Sequence, residues 1–259
     1  MRKACLFMIS ARNHLLKECL TYVDSNYNKK YNYPILIFYH NHLSDTYGNE
    51  YYREDIRRIN SKTDIRFHPI EAKIPDHLQE KDMFWNLPNA YAANFGRQRL
   101  GYLHANHFWN NFMNYSELDE FDYMMRIDDD SWFKKEIPFD FFEELDNRNG
   151  YFGTGFTWNH FSSGHMDTRY GLFKWIKNYV EKYNITVKDE QLRESLNGEI
   201  DNIKFHTLKW NCGNSNVYNR KMFETEEWRR YLNEFNSSGG GYRYRWVDCE
   251  ILGLYAYIH

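Results

Sequence analysis

No run of apolar residues in this 259-residue chain approaches the ~20 needed to cross a bilayer. The opening Met1-Arg-Lys-Ala-Cys-Leu-Phe-Met-Ile-Ser10 is too short to serve as a signal peptide and passes directly into Ala-Arg-Asn-His. The chain as given is therefore expected to be soluble and cytoplasmic. An excess of positive charge is also lacking: the net charge is -3 and the pI about 6.4, which excludes nucleic acid or an anionic membrane as the evident partner. The four cysteines, Cys5, Cys19, Cys212 and Cys249, have no C-x-x-C spacing, so neither a zinc module nor a disulfide framework is expected, and they read as small apolar residues. Neither a G-x-S-x-G elbow nor a G-x-x-x-x-G-K-[ST] loop is present, and Gly153 and Gly155 lack the third glycine of a dinucleotide fingerprint. With no repeat, linker or composition break, residues 1–259 read as one domain.

Aromatic residues, by contrast, make up 19% of the chain, with 22 Tyr and 8 Trp. Part of this must be core, but Tyr and Trp also provide flat faces with a polar edge that suit sugars and nucleobases. The feature hardest to explain as packing is Phe121-Asp-Tyr-Met-Met-Arg-Ile-Asp-Asp-Asp-Ser-Trp-Phe133, where three consecutive carboxylates follow an apolar run. In an extended backbone residues i and i+2 face the same way, so Asp128 and Asp130 would form a pincer with Asp129 turned aside. Such hard oxygen ligands suit Mg²⁺ or Mn²⁺ with positions left for diphosphate oxygens. A solvated acidic turn is the plain alternative.

Strand and helix patterns alternate. Residues 4–10 read as a strand, and Leu15, Leu16, Cys19, Leu20 and Val23 repeat at helical spacing. A second strand, Ile35–Tyr39, precedes a charged helix with Tyr52, Ile56 and Ile59 on one side, and a third strand covers Ile65–Ile70. This order implies a mostly parallel sheet flanked by helices, which binds ligands beyond its carboxyl ends where strand order reverses. The acidic cluster closes the next strand at the correct end. Further helices are expected over residues 97–114, 139–145, 166–200 and 221–235, a strand over 151–156, and a flexible Ser237-Ser-Gly-Gly-Gly241.

Other constellations point elsewhere only weakly. His104 and His107 share a helix face without a further zinc ligand set, and His40 and His42 read as loop residues. A phosphoesterase would need a second His/Asp motif for two metals. Three N-x-S/T sequons, at Asn114, Asn184 and Asn236, matter only if the chain enters a secretory lumen.

Three segments in order resemble the fungal α-1,2-mannosyltransferases of glycosyltransferase family fifteen. Ile9-Ser-Ala-Arg-Asn13 with Tyr27-Asn-Lys-Lys-Tyr-Asn-Tyr-Pro34 is similar to that family's opening strand and junction. Glu120-Phe-Asp-Tyr-Met-Met-Arg-Ile-Asp-Asp-Asp130 resembles its "YDxYWRVEPD" element, keeping acids at the first and third positions. Asn211-Cys-Gly-Asn-Ser-Asn216, with Gly239-Gly-Gly-Tyr-Arg-Tyr-Arg-Trp-Val-Asp248, resembles its "CHFWSNFEI…GGFYYERWGD". The resemblance implies a GT-A fold and retaining transfer of mannose from GDP-mannose to a glycan or glycoprotein hydroxyl, with Mn²⁺ or Mg²⁺ as cofactor. It assigns Asp128 and Asp130 to the metal, Arg12, Asn13, Arg126 and Asp129 to the donor, and Asn211, Asn214, Tyr244 and Trp246 to the acceptor. Asp248 and Glu250 become the catalytic carboxylates. Family relatives are Golgi-lumenal. A departure follows Asp248: the family has a histidine four residues on, where this chain has Leu252, with His259 as a possible substitute. A transferase using another sugar nucleotide, or a non-catalytic sugar-binding module, are the competing readings.

Overall fold

The computed structural model describes residues 2–83, 100–154, 171–197 and 215–259. The chain divides into two compact units: Met1–Ala72, Met113–Gly155 and Gly213–Glu224 form the first, and Lys73–Phe112, Phe156–Cys212 and Thr225–His259 the second.

A six-stranded sheet organises the first unit, with strands β1 (Ala4–Ile9), β2 (Ile35–His40), β3 (Ile65–Ile70), β4 (Tyr123–Ile127), β5 (Phe152–Thr154) and β6 (Ser215–Asn219) in the order β3-β2-β1-β4-β6-β5. β3, β2, β1 and β4 run parallel, and β6 is antiparallel to both β4 and β5. The expected mostly parallel sheet is thus present. Each residue of β1 and β2 is buried, as continuous apolar runs covered on both faces should be. Helix α1 (Asn13–Val23) supplies Leu16, Cys19, Leu20 and Val23 to one core with Leu6, Met8, Ile35 and Ile37. Short helices α2 (Lys29–Tyr31) and α3 (Ser44–Tyr47) are followed by α4 (Glu50–Arg57), whose buried Ile56 joins that core. Helix α6 (Phe141–Asn147) starts later than expected because Asp140 caps it, its Oδ1 accepting the Phe142 N–H at 3.0 Å.

Among the described residues, six helices belong to the second unit: α5 (Leu100–Asn111), α7 (Leu172–Lys182), α8 (Glu190–Asn197), α9 (Glu226–Ser238), α10 (Gly240–Arg243) and α11 (Asp248–Ile258). The expected helix over 166–200 is two helices. Asn184, at φ 49°, helps end the first of them. Two expectations are corrected here. Ser237–Gly241 is not a flexible run: Gly239 takes φ 68° to end α9, and Gly240 opens α10 against the indole of Trp246, where a Cβ would overlap the ring. Nor are all the cysteines simple apolar residues. Cys5 and Cys19 are free and buried, but Cys249 is disulfide-bonded, its partner lying outside the described residues. Among the described residues, no helix is long and apolar enough to cross a membrane.

Candidate active site

Strand order reverses between β1 and β4. From β1 the chain proceeds outward to β2 and β3, and β4 then pairs on the other side of β1. The register Phe7↔Arg126, continued three residues beyond that pair, brings Ser10 beside Asp129. Their contact is direct, with Ser10 Oγ donating to Asp129 Oδ2 at 3.0 Å. The same oxygen accepts the backbone N–H groups of Ala11 and Arg12, each at 3.1 Å, and these are the amides leading into α1. Asp129 Oδ1 accepts Arg12 Nε at 2.9 Å and also Arg12 Nη2. A carboxylate whose side chain is 3% exposed must meet its hydrogen-bonding demand inside the protein, and this one does. Both oxygens of Asp129 are taken by protein donors. What Asp129 does at this turn is hold Arg12.

The flanking acids face outward. Asp128 and Asp130 side chains are 23% and 37% exposed. The backbone that sorts the three acids is not the extended one expected from the sequence: β4 ends at Ile127, and Ser131 N donates to Asp128 O at 3.0 Å, closing a turn. Asp128 pairs with Arg126 at 2.9 Å, and Arg126 is itself buried. Asp130 pairs with Arg12 Nη1 at 2.6 Å. Partial burial pulls the Arg12 guanidinium toward deprotonation, but its bonds to Asp129 and Asp130 outweigh this and raise its pKa, so it stays cationic. Asn13 is exposed at the start of α1, and its carbonyl accepts the Tyr52 hydroxyl at 3.3 Å.

Sequence reasoning passed over a second support of this turn. Cys19 Sγ, on the buried side of α1, donates to the Ser131 carbonyl at 2.8 Å. Burial first, and then the negative charge of Asp129, push this thiol up to about 12, which keeps it a donor at neutral pH. One helical turn further on, Tyr22 stacks on Trp132 with ring centres 6.2 Å apart. The helical period that placed Cys19 in the core was visible; the carbonyl it meets was not.

Asp128 and Asp130 have the chemistry that a hard divalent ion requires. Among the described residues, however, no group of three or more His, Cys, Asp or Glu side chains is arranged to hold a metal. An ion at this turn would have two carboxylates to hold it and would take the rest of its shell from ligand oxygens and water.

The remaining predicted residues lie in the second unit or outside the described residues. Trp246 is buried, with Trp175 at 5.7 Å, Phe235 at 6.2 Å and Tyr244 stacked on it at 5.5 Å. Tyr244 itself is half-buried. Asp248 and Glu250 are buried in the first turn of α11, where Glu250 Oε2 accepts the N–H of Val247 at 3.3 Å and so caps the helix. Leu252 is buried on the same helix, and His259 packs on Tyr255 at 4.7 Å. Asn211 and Asn214 lie outside the described residues.

The profile of the glycolipid 2-alpha-mannosyltransferase family matches residues 1–258. Direct sequence comparison with curated proteins gives no significant match. Among solved structures, the mannosyltransferase Ktr4p from S. cerevisiae, in complex with GDP, superposes with a TM-score of 0.79 at 17% identity, covering 99% of this chain and 66% of its own. Core-mannan synthase A from Aspergillus fumigatus, in an Mn/GDP form, gives 0.78 at 16% identity, covering 100% of this chain and 70% of its own. At these identities the likeness establishes a shared fold. The chain thus spans slightly less than two thirds of the Ktr4p chain.

Proposed function

Since the chain belongs to the glycolipid 2-alpha-mannosyltransferase family, we propose that it is a metal-dependent retaining glycosyltransferase moving mannose from GDP-mannose to a sugar hydroxyl of a glycan. The observation that carries this reading is the acidic turn at the β1/β4 switch point, where two outward carboxylates and the Arg12 guanidinium meet. The chemical problem is a leaving diphosphate with several negative charges. Arg12, a planar donor already fixed by Asp129, would pair with its oxygens. Asp128 and Asp130 would hold Mn²⁺ or Mg²⁺, which when bound supplies Lewis-acid neutralisation of the departing diphosphate. The amides of Ala11 and Arg12 are already occupied by Asp129, so the cationic group that the protein itself offers the diphosphate would be the Arg12 guanidinium. Of the two carboxylates on α11, we retain Asp248 for the sugar, because Glu250 caps its own helix.

The compartment we propose is an oxidising one, because Cys249 is disulfide-bonded and such bonds persist where thiols are not kept reduced. The donor is tested by thermal stabilisation with GDP, UDP and dTDP, each with Mn²⁺ and with EDTA. GDP with Mn²⁺ at ~100 times Kd is expected to add roughly 2.7 kcal/mol. Equal stabilisation in EDTA would remove the metal from the site, and a preference for UDP would replace the donor.

A further inference from the structure

The three sequons occupy unlike surroundings. Asn236 lies within α9, half-buried, and both ends of its side-chain amide are engaged: Nδ2 donates to Asn111 Oδ1 at 2.7 Å, and its Oδ1 accepts Asn111 Nδ2 at 3.3 Å. The nitrogen that a glycan would need is committed to a partner on α5 of the same unit. Asn114 is different: it closes the short turn Phe112–Asn114, and both its side chain and that of Ser116, the hydroxyl residue of its sequon, are exposed. Asn184 stands in the turn after α7 at φ 49°, a conformation asparagine tolerates, with Asn184 and Thr186 both exposed. At Asn184 the main chain is tied down, Asn184 N donating to Glu181 O at 3.3 Å and Ile185 N to Val180 O at 3.0 Å. Its side chain points to solvent.

A second, independent observation concerns where the chain matures. Cys249 is disulfide-bonded, which points to the compartment in which sequons are read. From these two observations we infer that Asn114 and Asn184 are N-glycosylation sites and that Asn236 is not. The inference rests on the oxidising compartment proposed above. In the transfer, the Asn Nδ2 forms a bond to the anomeric carbon of a polyprenyl-diphosphate-linked oligosaccharide. The bond from that carbon to the diphosphate oxygen breaks, the amide gives up one proton, and polyprenyl diphosphate departs. Exposed turns meet the steric demand of that reaction, and neither carries an element that the glycan must displace.

The test is translation of the full chain, behind a cleavable signal sequence, in the presence of endoplasmic-reticulum microsomes. Two endoglycosidase-sensitive mobility steps are expected for the wild type. Asn114→Gln and Asn184→Gln should each remove one step, the double variant both, and Asn236→Gln none. An unshifted wild type, or a glycan on Asn236 in the protease-resistant folded fraction, would overturn the assignment. Thiol alkylation of the protein from its native cells, with and without reductant, tests the compartment separately. A freely alkylated Cys249 would sink the compartment and with it modification in the native cells, even where two glycan steps in microsomes showed both sequons to be accessible.

Discussion

Nη1 of Arg12 lies 2.6 Å from Oδ2 of Asp130, so the cation neutralising the outermost acid of the turn is the protein's own guanidinium. A divalent ion and a diphosphate would each need one half of this pair. Binding of the two should therefore be strongly coupled: a phosphate that draws Arg12 away releases Asp130 for the metal, and the reverse holds by linkage. We expect weak Mn²⁺ binding without nucleotide and much tighter binding with GDP. Arg12→Gln should tighten the binary Mn²⁺ complex and weaken GDP binding, as read by electron paramagnetic resonance of free Mn²⁺ and by calorimetry. Unchanged binary affinity in a folded Arg12→Gln protein would show that the pair does not compete with the ion.

The three aspartates are adjacent in sequence but should separate in mutagenesis. Asp129→Asn places an amide against donors that all need an acceptor, and is expected to cost roughly 2–3 kcal/mol of stability. Asp128→Asn weakens the partner of a buried arginine and should cost less. Asp130→Asn, on the exposed side, should leave the melting temperature nearly unchanged, because exposed pairs are worth little. Transfer should be lost in all three. Denaturant unfolding would refute the scheme if Asp130→Asn proved the most destabilised.

Why the central acid was not assigned this structural part from sequence alone has a physical answer. Parallel strands show their apolar runs openly, so β1, β2, β3 and the end of β4 were legible, as was the position of the acids beyond them. Asp129's partners are fixed instead by the register of β1 against β4, between residues more than a hundred positions apart, and no local pattern encodes that. β6 was missed for a related reason. Ser-Asn-Val-Tyr-Asn is short and polar at its ends, and it becomes a strand only by pairing with β4 and β5. The glycine run after α9 suggested flexibility because composition cannot show that an indole occupies the space its missing Cβ leaves.

Stability of the second unit should depend on pH through His107. Burial lowers its pKa from the ordinary histidine value, with Asn111 Nδ2 3.3 Å from its Nδ1 and the Tyr242 ring at 5.6 Å. The unfolded chain then takes up the proton first on acidification. Stability is complete above about pH 6.5 and declines as pH falls toward the lower folded value. Burial lowers His259 of the same unit in the same sense, so His107→Gln should flatten the dependence without abolishing it. Melting temperatures that stay constant between about pH 7.5 and about pH 5.5 would contradict this.

Trp246 provides the last prediction, because its sequence context suggests an acceptor platform while its surroundings are those of a core. The ring sits among Trp175, Phe235 and Tyr244, and Gly240 lies directly against it. Trp246→Ala should therefore cost about 3–5 kcal/mol, the range for emptying a buried aromatic site. Gly240→Ala should also destabilise, by about 1–3 kcal/mol or more, since the added methyl requires the indole to move. Tyr244, half-buried at the edge of this cluster, is the aromatic of the pair able to meet a sugar, and Tyr244→Ala should spare most of the stability while raising KM for the acceptor. Unfolding curves and acceptor kinetics on the three variants separate the roles. If Trp246→Ala kept wild-type stability and lost only acceptor affinity, the indole would be a binding surface after all.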